Sequence, residues 1–404
     1  MSRCRLTGLL AVFALLAACT SGVQSSGSAT GSTSGASSSR SSSPSAPASP
    51  HTSASENPDV AAAKRVLAGM TSGQKVAQLL MTATSSSYAG SQTLAAIRSG
   101  EVGSVILNGH SYAGQAATKA ITRALQAAVA SGAPSLFVST DQEGGQVQDL
   151  HGPGFDEIPS GVQQGRLAAA TLKADATRWA TQLKAAGVNL SLGPVLDTVP
   201  SPVFASQNPP IGGLDRQYGY TPQVVTSHGL AAISGMATAG IDATVKHFPG
   251  LGRVTGNTDT TAGVTDSQTT PDDAYLDPFA AAVQAGVPFV MMSTAIYSRI
   301  DPSSPAAFSA KIVTGLLRQK LGFDGVVISD DVGGAVQVSS IAVGQRAVRF
   351  VNAGGDIVLT VDVNQVPTMR AALLSAMHGA AFTTKVDAAV LRVLIAKAQR
   401  GLLH

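Results

Sequence analysis

One stretch decides the fold: Asp242-Ala-Thr-Val-Lys-His-Phe-Pro-Gly-Leu-Gly252, followed by a hydroxyl-rich loop that reaches Asp259. The apolar run at 243–245 predicts a strand that ends in the cationic pair Lys246 and His247. Polar side chains at the carboxyl ends of strands are where α/β barrels carry their chemistry. The Pro-Gly turn that follows lets the loop fold back over a pocket. The stretch therefore predicts a barrel strand with a site at its end.

Seven further short apolar runs predict strands, and Ala-rich stretches of helical length separate most of them. Parallel strands need crossover connections, which are usually helices. Eight such strands predict an α/β fold, a (β/α)8 barrel of the TIM type. An open doubly wound sheet is the alternative, but no Gly-x-Gly-x-x-Gly follows an early strand. The predicted strands are 77–82, 102–107, 135–139, 188–192, 243–245, 287–292, 325–329 and 356–360, and the predicted helices include 114–130, 167–186, 222–239, 309–320 and 381–402.

The amino-terminal residues have the composition of an export signal. Arg3 and Arg5 precede an apolar run at 9–18 that is too short to span a bilayer. The run ends Leu-Ala-Ala-Cys19, which resembles a bacterial lipobox and predicts acylation of Cys19. An ordinary signal peptide that is cut near Ala18 is the alternative.

These features divide the chain into three parts. Residues 1–18 are predicted to be the signal peptide, and residues 19–57 are rich in Ser, Gly, Thr, Ala and Pro. Such a composition cannot bury enough apolar surface to offset its ordering entropy, so we expect a disordered tether. Residues 58–404 are predicted to form the barrel as a single catalytic domain. We expect a secreted protein that is lipid-anchored to the outer face of the bacterial cell membrane.

Composition argues against several classes of ligand. The formal net charge is only +3, and no run of Lys and Arg exceeds two, so we expect no nucleic-acid partner. The seven histidines show no metal-ligand spacing, and both cysteines, Cys4 and Cys19, lie in the first twenty residues. We therefore expect no metal site and no cofactor.

Charged side chains follow three other predicted strands. The third strand runs into Asp141-Gln-Glu-Gly-Gly145, where a carboxylate can accept hydrogen bonds from vicinal sugar hydroxyls. The long loop after the fourth strand carries Arg216, a fixed fork of donors. The seventh strand ends in Asp330, a carboxylate suited to act as a nucleophile, and Asp331 should point elsewhere because strand side chains alternate. A capped turn, a surface arginine and a helix cap are the structural alternatives.

Four motifs occur in order: Met70-Thr-x-x-x-Lys-Val-x-Gln-Leu79, Asp141–Gly145, Lys246-His-Phe-Pro-Gly250 and Ser329-Asp330. From about residue 58 onward the series resembles glycoside hydrolase family 3, in particular its single-domain bacterial β-N-acetylhexosaminidases. The resemblance implies a (β/α)8 barrel. It also implies activity on terminal β-linked N-acetylglucosamine, including that of peptidoglycan fragments, and we expect the protein to be a monomer.

The resemblance also implies roles for individual residues. Asp330 matches the family nucleophile, so the implied mechanism is retaining and proceeds through a glycosyl-enzyme. Asp141, Arg216, Lys246 and His247 match the residues that hold sugar hydroxyls in the first subsite.

The sequence departs from the family at the general acid/base, where relatives usually carry Asp-Ser-His after the Lys-His-Phe-Pro-Gly motif. No histidine occurs between His247 and His378. Without gaps, Asn257 and Asp259 fall on the aspartate and histidine positions; with a two-residue insertion, Asp259 falls on the aspartate instead. We hypothesise that Asp259 supplies the proton, because a second carboxylate near Asp330 would have a raised pKa. The alternative is a sugar-binding lipoprotein with weak or no hydrolysis.

Overall fold

The structure is a computed structural model, and it describes residues 57–403. The predicted signal peptide, Cys19 and almost all of the predicted tether lie outside the described residues. Within residues 57–403, no helix is both long and apolar enough to cross a membrane.

Eight parallel strands close into a barrel in which each strand pairs with its sequence neighbours and the first pairs with the last. Met81, for example, lies opposite Ser104 on one side and Leu359 on the other. The predicted (β/α)8 barrel is therefore confirmed, and the open doubly wound sheet is excluded. In chain order the strands are β1 Leu80–Ser85, β2 Ser104–Asn108, β3 Phe137–Thr140, β4 Leu190–Ser191, β5 Asp242–Phe248, β6 Phe289–Met292, β7 Val326–Asp331 and β8 Ile357–Thr360.

Helices follow the strands on the outside of the barrel, and the helix before β5 shows capping residues at both of its ends. Thr221 accepts a hydrogen bond from the backbone N–H of Val224, Pro222 takes the first helical position, and Gly240 ends the helix with a φ of 81°. This helix matches its predicted bounds. The main helices are Pro58–Gly69, Ser72–Gln78, Ser91–Arg98, Gly114–Ala127, Ala169–Ala185, Pro222–Ala239, Asp277–Gln284, Val343–Ala353, Val366–Ala376 and Ala380–Gln399, and Lys311–Lys320 is wound as a π-helix.

The first strand starts later than predicted. Residues 77 and 78 belong to the helix Ser72–Gln78, which a capping box between Thr71 and Gln74 begins. Apolar residues lie on both sides of the end of this helix, and the single polar residue Gln78 between them gives no clear break before β1. Apolar periodicity therefore could not separate the two elements.

Strand alternation decides which side chains face the barrel axis. In β7, Val326 and Ile328 belong to the apolar cluster inside the barrel, whereas Val327 belongs to the outer cluster beneath the helices. Lys246 on β5 likewise alternates with the outward-facing Val245. A bulge between Ile328 and Asp331 interrupts this alternation at the end of β7, and Asp330 and Asp331 both line the cavity at that end.

The final helix covers the opposite end of the barrel. Val393 and Ala396 of the helix Ala380–Gln399 join the interior cluster. Lys397 is fully buried there, and its Nζ donates to Gln78 Oε1 at 2.7 Å and to the Gly103 carbonyl at 2.9 Å. The interior is therefore packed at the amino ends of the strands, and a ligand has to enter at their carboxyl ends.

Candidate active site

A pocket of about 250 Å³ opens at the carboxyl ends of the barrel strands. The structure brings all six of the predicted catalytic and sugar-binding residues to its walls, although they come from three strand ends (β3, β5 and β7) and two loops. Their individual roles remain predictions. The six are Asp141, Arg216, Lys246, His247, Asp259 and Asp330.

An ion-pair cluster forms the inner wall of this pocket. Glu143 receives two parallel hydrogen bonds from Arg216, with Nε–Oε2 at 2.8 Å and Nη2–Oε1 at 2.6 Å. Lys246 Nζ lies 2.6 Å from Glu143 Oε1 and also donates to Asp141. Arg216 Nη1 donates in addition to the Pro210 carbonyl at 2.7 Å. The cluster fixes the positions of two cations and a partly exposed carboxylate at the pocket wall.

Electrostatics keep this cluster charged. Burial raises the pKa of Glu143, but the positive charges of Arg216 and Lys246 outweigh burial and lower that pKa to about 2. Burial lowers the pKa of Lys246, but Asp141 and Glu143 outweigh it and raise the pKa above its ordinary value. At neutral pH the wall therefore presents N–H donors and carboxylate acceptors together. Vicinal hydroxyls of a sugar need such a mixture.

His247 is held from behind by a buried carboxylate. Asp197 is completely buried, and its Oδ2 accepts a hydrogen bond from His247 Nδ1 at 2.7 Å. Asp197 Oδ1 accepts another from the backbone N–H of Leu251 at 2.6 Å. The proton on Nδ1 leaves Nε2 as the ring nitrogen that can accept a hydrogen bond. Asp197 thus fixes both the tautomer of His247 and the start of the following loop.

Two amide side chains hold the two ends of the loop after β5 by hydrogen bonds to its backbone. Asn208 Nδ2 donates to the carbonyls of Leu251 and Val254, each at 2.8 Å. Farther along, Gln337 accepts from the Val264 N–H at 2.8 Å and donates to the Val264 carbonyl at 3.0 Å. The predicted return of this loop over the pocket is therefore observed.

Asp259 lies on this loop, and its charge is coupled to that of Asp330. Partial burial of the carboxyl raises the pKa of Asp259, and the negative charge of Asp330 raises it further, to about 6. The residue as a whole is exposed, so the carboxyl can reach solvent as well as the pocket. The loop backbone is fixed on the β7 side, because the Val336 N–H donates to the Asp259 carbonyl at 3.2 Å.

The two aspartates that end β7 have different surroundings. Asp330 Oδ1 accepts a hydrogen bond from the Asp331 N–H at 2.9 Å. The carboxylate of Asp331 accepts from the backbone N–H groups of Gly333 at 2.9 Å, Gly334 at 3.0 Å and Val361 at 3.2 Å. Asp331 therefore organises the loop after β7, as a structural carboxylate would, and Asp330 is the one with free acceptor capacity.

The acidic groups of this pocket do not form a cation site. Within residues 57–403, no group of three or more His, Cys, Asp or Glu side chains is arranged to hold a metal ion. The carboxylates of Asp141 and Glu143 are neutralised by Lys246 and Arg216 instead.

Comparison with known proteins places this pocket in a family. Residues 71–396 match the glycosyl hydrolase family 3 N-terminal domain. The chain belongs to glycosyl hydrolase family 3. Within the family it is a glycoside hydrolase of the β-N-acetylhexosaminidase type, in agreement with its relatives.

Three relatives illustrate the similarity of this hydrolase to known proteins. A crystal structure of β-N-acetylhexosaminidase from Beutenbergia cavernae is 50% identical, with a TM-score of 0.80 over 82% of this chain and 99% of that one. A family 3 β-N-acetylglucosaminidase structure from Paenibacillus is 31% identical, with a TM-score of 0.76 over 83% of this chain and 63% of that one. A β-hexosaminidase of Xanthomonas campestris is 35% identical over 64% of this chain and 77% of its own length.

Sequence reasoning missed three buried carboxylates of the hydrolase. Glu143 and Asp197 were visible at strand ends but had no assigned partner, and nothing local singled out Asp149. Burial and the negative charge of Asp141 raise the pKa of Asp149 to about 7. Asp149 lies in the segment that returns beside Asp141, since its N–H donates to the Asp141 carbonyl at 3.0 Å.

Removal of the Glu143 carboxylate should destabilise the hydrolase. Glu143→Ala leaves Arg216 and Lys246 buried with less compensation, so we expect the free energy of unfolding to fall by about 3–5 kcal/mol. Denaturant unfolding checks this. The control is Asp272→Ala, which removes the exposed partner of Lys320 and should change stability by less than about 1 kcal/mol. Equal effects of the two substitutions would contradict a structural role for the Glu143 pair.

Proposed function

We propose that this hydrolase is a retaining exo-β-N-acetylglucosaminidase that removes terminal β-linked N-acetylglucosamine. The observation that carries the proposal is the inward-facing Asp330 in the same pocket as the hydroxyl-binding cluster of Asp141, Arg216 and Lys246. That cluster closes one side of the pocket with buried ion pairs. A single terminal sugar can therefore lie between the cluster and Asp330, which favours exo action.

The proposed reaction has two steps. Asp330 attacks C1 of the sugar, and the bond to the leaving oxygen breaks while Asp259 donates a proton to that oxygen. The product of this step is a glycosyl-enzyme ester on Asp330. In the second step Asp259, now ionised, takes a proton from a water molecule that attacks C1 and releases Asp330. The raised pKa of Asp259 supports this assignment, because a donor must hold its proton near the working pH.

We extend the proposal to the setting of the enzyme. The lipobox-like segment ending at Cys19 and the Ser/Gly-rich stretch after it support a lipid-anchored protein at the outer face of the cell membrane. At that location, the available β-linked N-acetylglucosamine includes the termini of peptidoglycan fragments. Muropeptides are therefore proposed as substrates, and a monomer is proposed as the working form.

The full chain should be incubated with 4-nitrophenyl N-acetyl-β-glucosaminide, and the product followed by proton NMR. We expect the β-anomer of N-acetylglucosamine to form first, because two displacements at C1 restore the original configuration. First formation of the α-anomer would contradict the retaining mechanism. The absence of any released sugar from this substrate and from muropeptides would contradict the function itself.

A further inference from the structure

A second cavity adjoins the catalytic pocket on the side of β1 and β8. This β1–β8 groove has a volume of about 330 Å³, and it lies above the end of β1 and the start of the helix Ser91–Arg98. Asn108, at the end of β2, and Val361, just after β8, line both cavities. The groove is therefore a continuation of the catalytic pocket and not a separate surface feature.

The lining of the β1–β8 groove is polar but uncharged. Thr84, Ser85, Ser91 and Gln92 supply hydroxyl and amide groups. Among residues 57–403, none of the side chains that line the groove carries a charge. Such a surface can bind the hydroxyls and amides of a neutral sugar, but it offers no cation to an anionic ligand.

Tyr88 forms an exposed aromatic platform at this groove. Tyr88 is 65% exposed. The short loop that carries it is fixed, because Thr84 Oγ1 accepts from the Gly90 N–H at 2.7 Å and donates to the Tyr88 carbonyl at 3.3 Å. The loop backbone is thus fixed, and the exposed ring offers a face on which the apolar side of a sugar can stack.

Few large apolar side chains are exposed among residues 57–403. In the part of the chain that the structure describes, four such residues occur, and all of them lie on segments that follow the carboxyl end of a barrel strand. Of these four residues, only Tyr88 lines the β1–β8 groove. The four are Tyr88, Tyr112, Val203 and Val336.

We propose that the β1–β8 groove is the subsite for the sugar on the leaving-group side of the bond, and that it accepts an uncharged amino sugar stacked on Tyr88. The proposal rests on the proposed function, in which the terminal sugar fills the catalytic pocket. Arg216 and Glu143 close that pocket on the far side, so the unit attached to C1 must extend through the mouth. The β1–β8 groove is the adjoining space with room for it.

This subsite should discriminate between two possible leaving groups. N-acetylglucosamine and N-acetylmuramic acid differ by the lactyl ether, which adds a carboxylate. A carboxylate placed in the uncharged groove would lose hydration without gaining a cationic partner. The hydrolase should therefore cleave a disaccharide of two N-acetylglucosamine units faster than one that ends in N-acetylmuramic acid. Muropeptides, whose terminal N-acetylglucosamine is attached to N-acetylmuramic acid, would then be the slower of its proposed substrates.

Tyr88→Ala tests the stacking platform. We expect the ratio of kcat/KM on the N-acetylglucosamine disaccharide to kcat/KM on the 4-nitrophenyl glycoside to fall about five- to tenfold, because one aromatic contact is lost. The matched control is Tyr112→Ala, which removes a tyrosine that is 69% exposed, stacks on His151 and lies outside the groove. The control should keep the ratio of the unmodified enzyme. Equal ratios in both variants, or a fall only in the control, would overturn the proposal.

Gln92→Lys tests whether the absence of a cation from the groove disfavours N-acetylmuramic acid, because it places a positive charge there. Gln92 is exposed, and its side-chain amide donates a hydrogen bond to Asn364 Oδ1 at 3.1 Å. Within residues 57–403 this is the one hydrogen bond that the structure shows for the Gln92 side chain. The new ammonium should raise kcat/KM on the N-acetylmuramic acid disaccharide several-fold relative to the neutral disaccharide. An unchanged preference, or a preference of the unmodified enzyme for the lactyl-bearing disaccharide, would overturn the neutral subsite.

A binding measurement separates failure of the subsite from failure of the proposed hydrolase. Calorimetry on the Asp330→Asn variant should show that the neutral disaccharide binds at least fivefold more tightly than N-acetylglucosamine alone, and that Tyr88→Ala removes the difference. This readout needs no turnover, so it stands even if the unmodified enzyme releases no sugar. Equal affinity for the monosaccharide and the disaccharide would overturn the subsite, whatever the enzyme hydrolyses.

Discussion

Asp330→Ala is expected to reduce kcat on β-N-acetylglucosaminides by on the order of 10⁴-fold or more, because the group that forms the covalent bond to C1 is removed. The carboxyl end of β7 brings this carboxylate to the catalytic pocket, and the Asp331 N–H donates to its Oδ1 at 2.9 Å. Steady-state kinetics on the aryl glycoside and on the disaccharide should show similar losses. The loss is shared because both substrates require the same attack on C1.

Azide distinguishes loss of a nucleophile from general damage. In Asp330→Ala the anion can enter the vacated space, attack C1 from the same face and give the α-glycosyl azide, which NMR identifies. The control is Asp324→Ala, which removes an exposed carboxylate just before the amino end of the same strand and should retain nearly full activity. More than a tenth of normal activity in Asp330→Ala, or a β-glycosyl azide product, would show that another residue is the nucleophile.

The barrel could be predicted because its signals are local. Eight apolar runs and the helices between them define the topology. The position of Asp330 directly after the apolar run of β7 was also visible in the sequence, but the bulge after Ile328 was not. The start of the first strand was placed at residue 77 instead of Leu80, because apolar residues lie on both sides of the boundary with the preceding helix. Element type was therefore easier to predict than element bounds.

The partners within the site could not be predicted, because they lie far apart in the chain. Glu143 pairs with Arg216 across 73 residues, and Asp197 supports His247 across 50 residues. Gln337 fixes the loop after β5 at Val264 from 73 residues away. Neither apolar periodicity nor a local motif can indicate which residues are in contact across such separations along the chain. The sequence showed that carboxylates stand at several strand ends, but only the closed barrel shows which cations neutralise them.

The difference between local sequence signals and long-range contacts matters most for Asp259. The sequence placed it near the position of a missing histidine but left its alignment open between two registers. In the structure, the Asp259 N–H donates to Asn257 Oδ1 at 2.9 Å, and the Asp259 carbonyl accepts from Val336. These bonds place Asp259 at the wall of the pocket that contains Asp330. Loop geometry, and not alignment register, makes it the candidate proton donor.

Asp259→Ala is expected to lower kcat/KM by about 10²–10⁴-fold on the disaccharide, whose leaving oxygen needs a proton. The loss should be much smaller for formation of the glycosyl-enzyme from a 2,4-dinitrophenyl glycoside, whose leaving group departs as an anion. The glycosyl-enzyme should then accumulate because the base that activates water is missing. Azide should restore turnover and give the β-glycosyl azide, since it attacks the intermediate from the opposite face.

The pH dependence supplies a second measurement of the same residue. The protonated form of Asp259 is the active one, and its pKa in the free enzyme is raised to about 6. As the pH rises above about 6 the protonated fraction falls, so kcat/KM on the disaccharide should decrease toward alkaline pH. In Asp259→Ala this alkaline decrease should disappear, because no proton remains to be lost from that position.

Two control variants identify the donor by its pH profile. Asn257→Ala removes the side chain that orients the Asp259 N–H but keeps the donor, so the alkaline decrease should persist at a lower rate. His247→Gln removes the histidine that lines the pocket, and the decrease should persist there as well, because Asp259 still holds the proton. If His247→Gln abolished the decrease while Asp259→Ala preserved it, the proton would come from the histidine that Asp197 supports. Equal losses on both leaving groups in Asp259→Ala, or none, would likewise remove Asp259 from the proton transfer, because an acid that protonates the leaving oxygen must discriminate between leaving groups by their basicity.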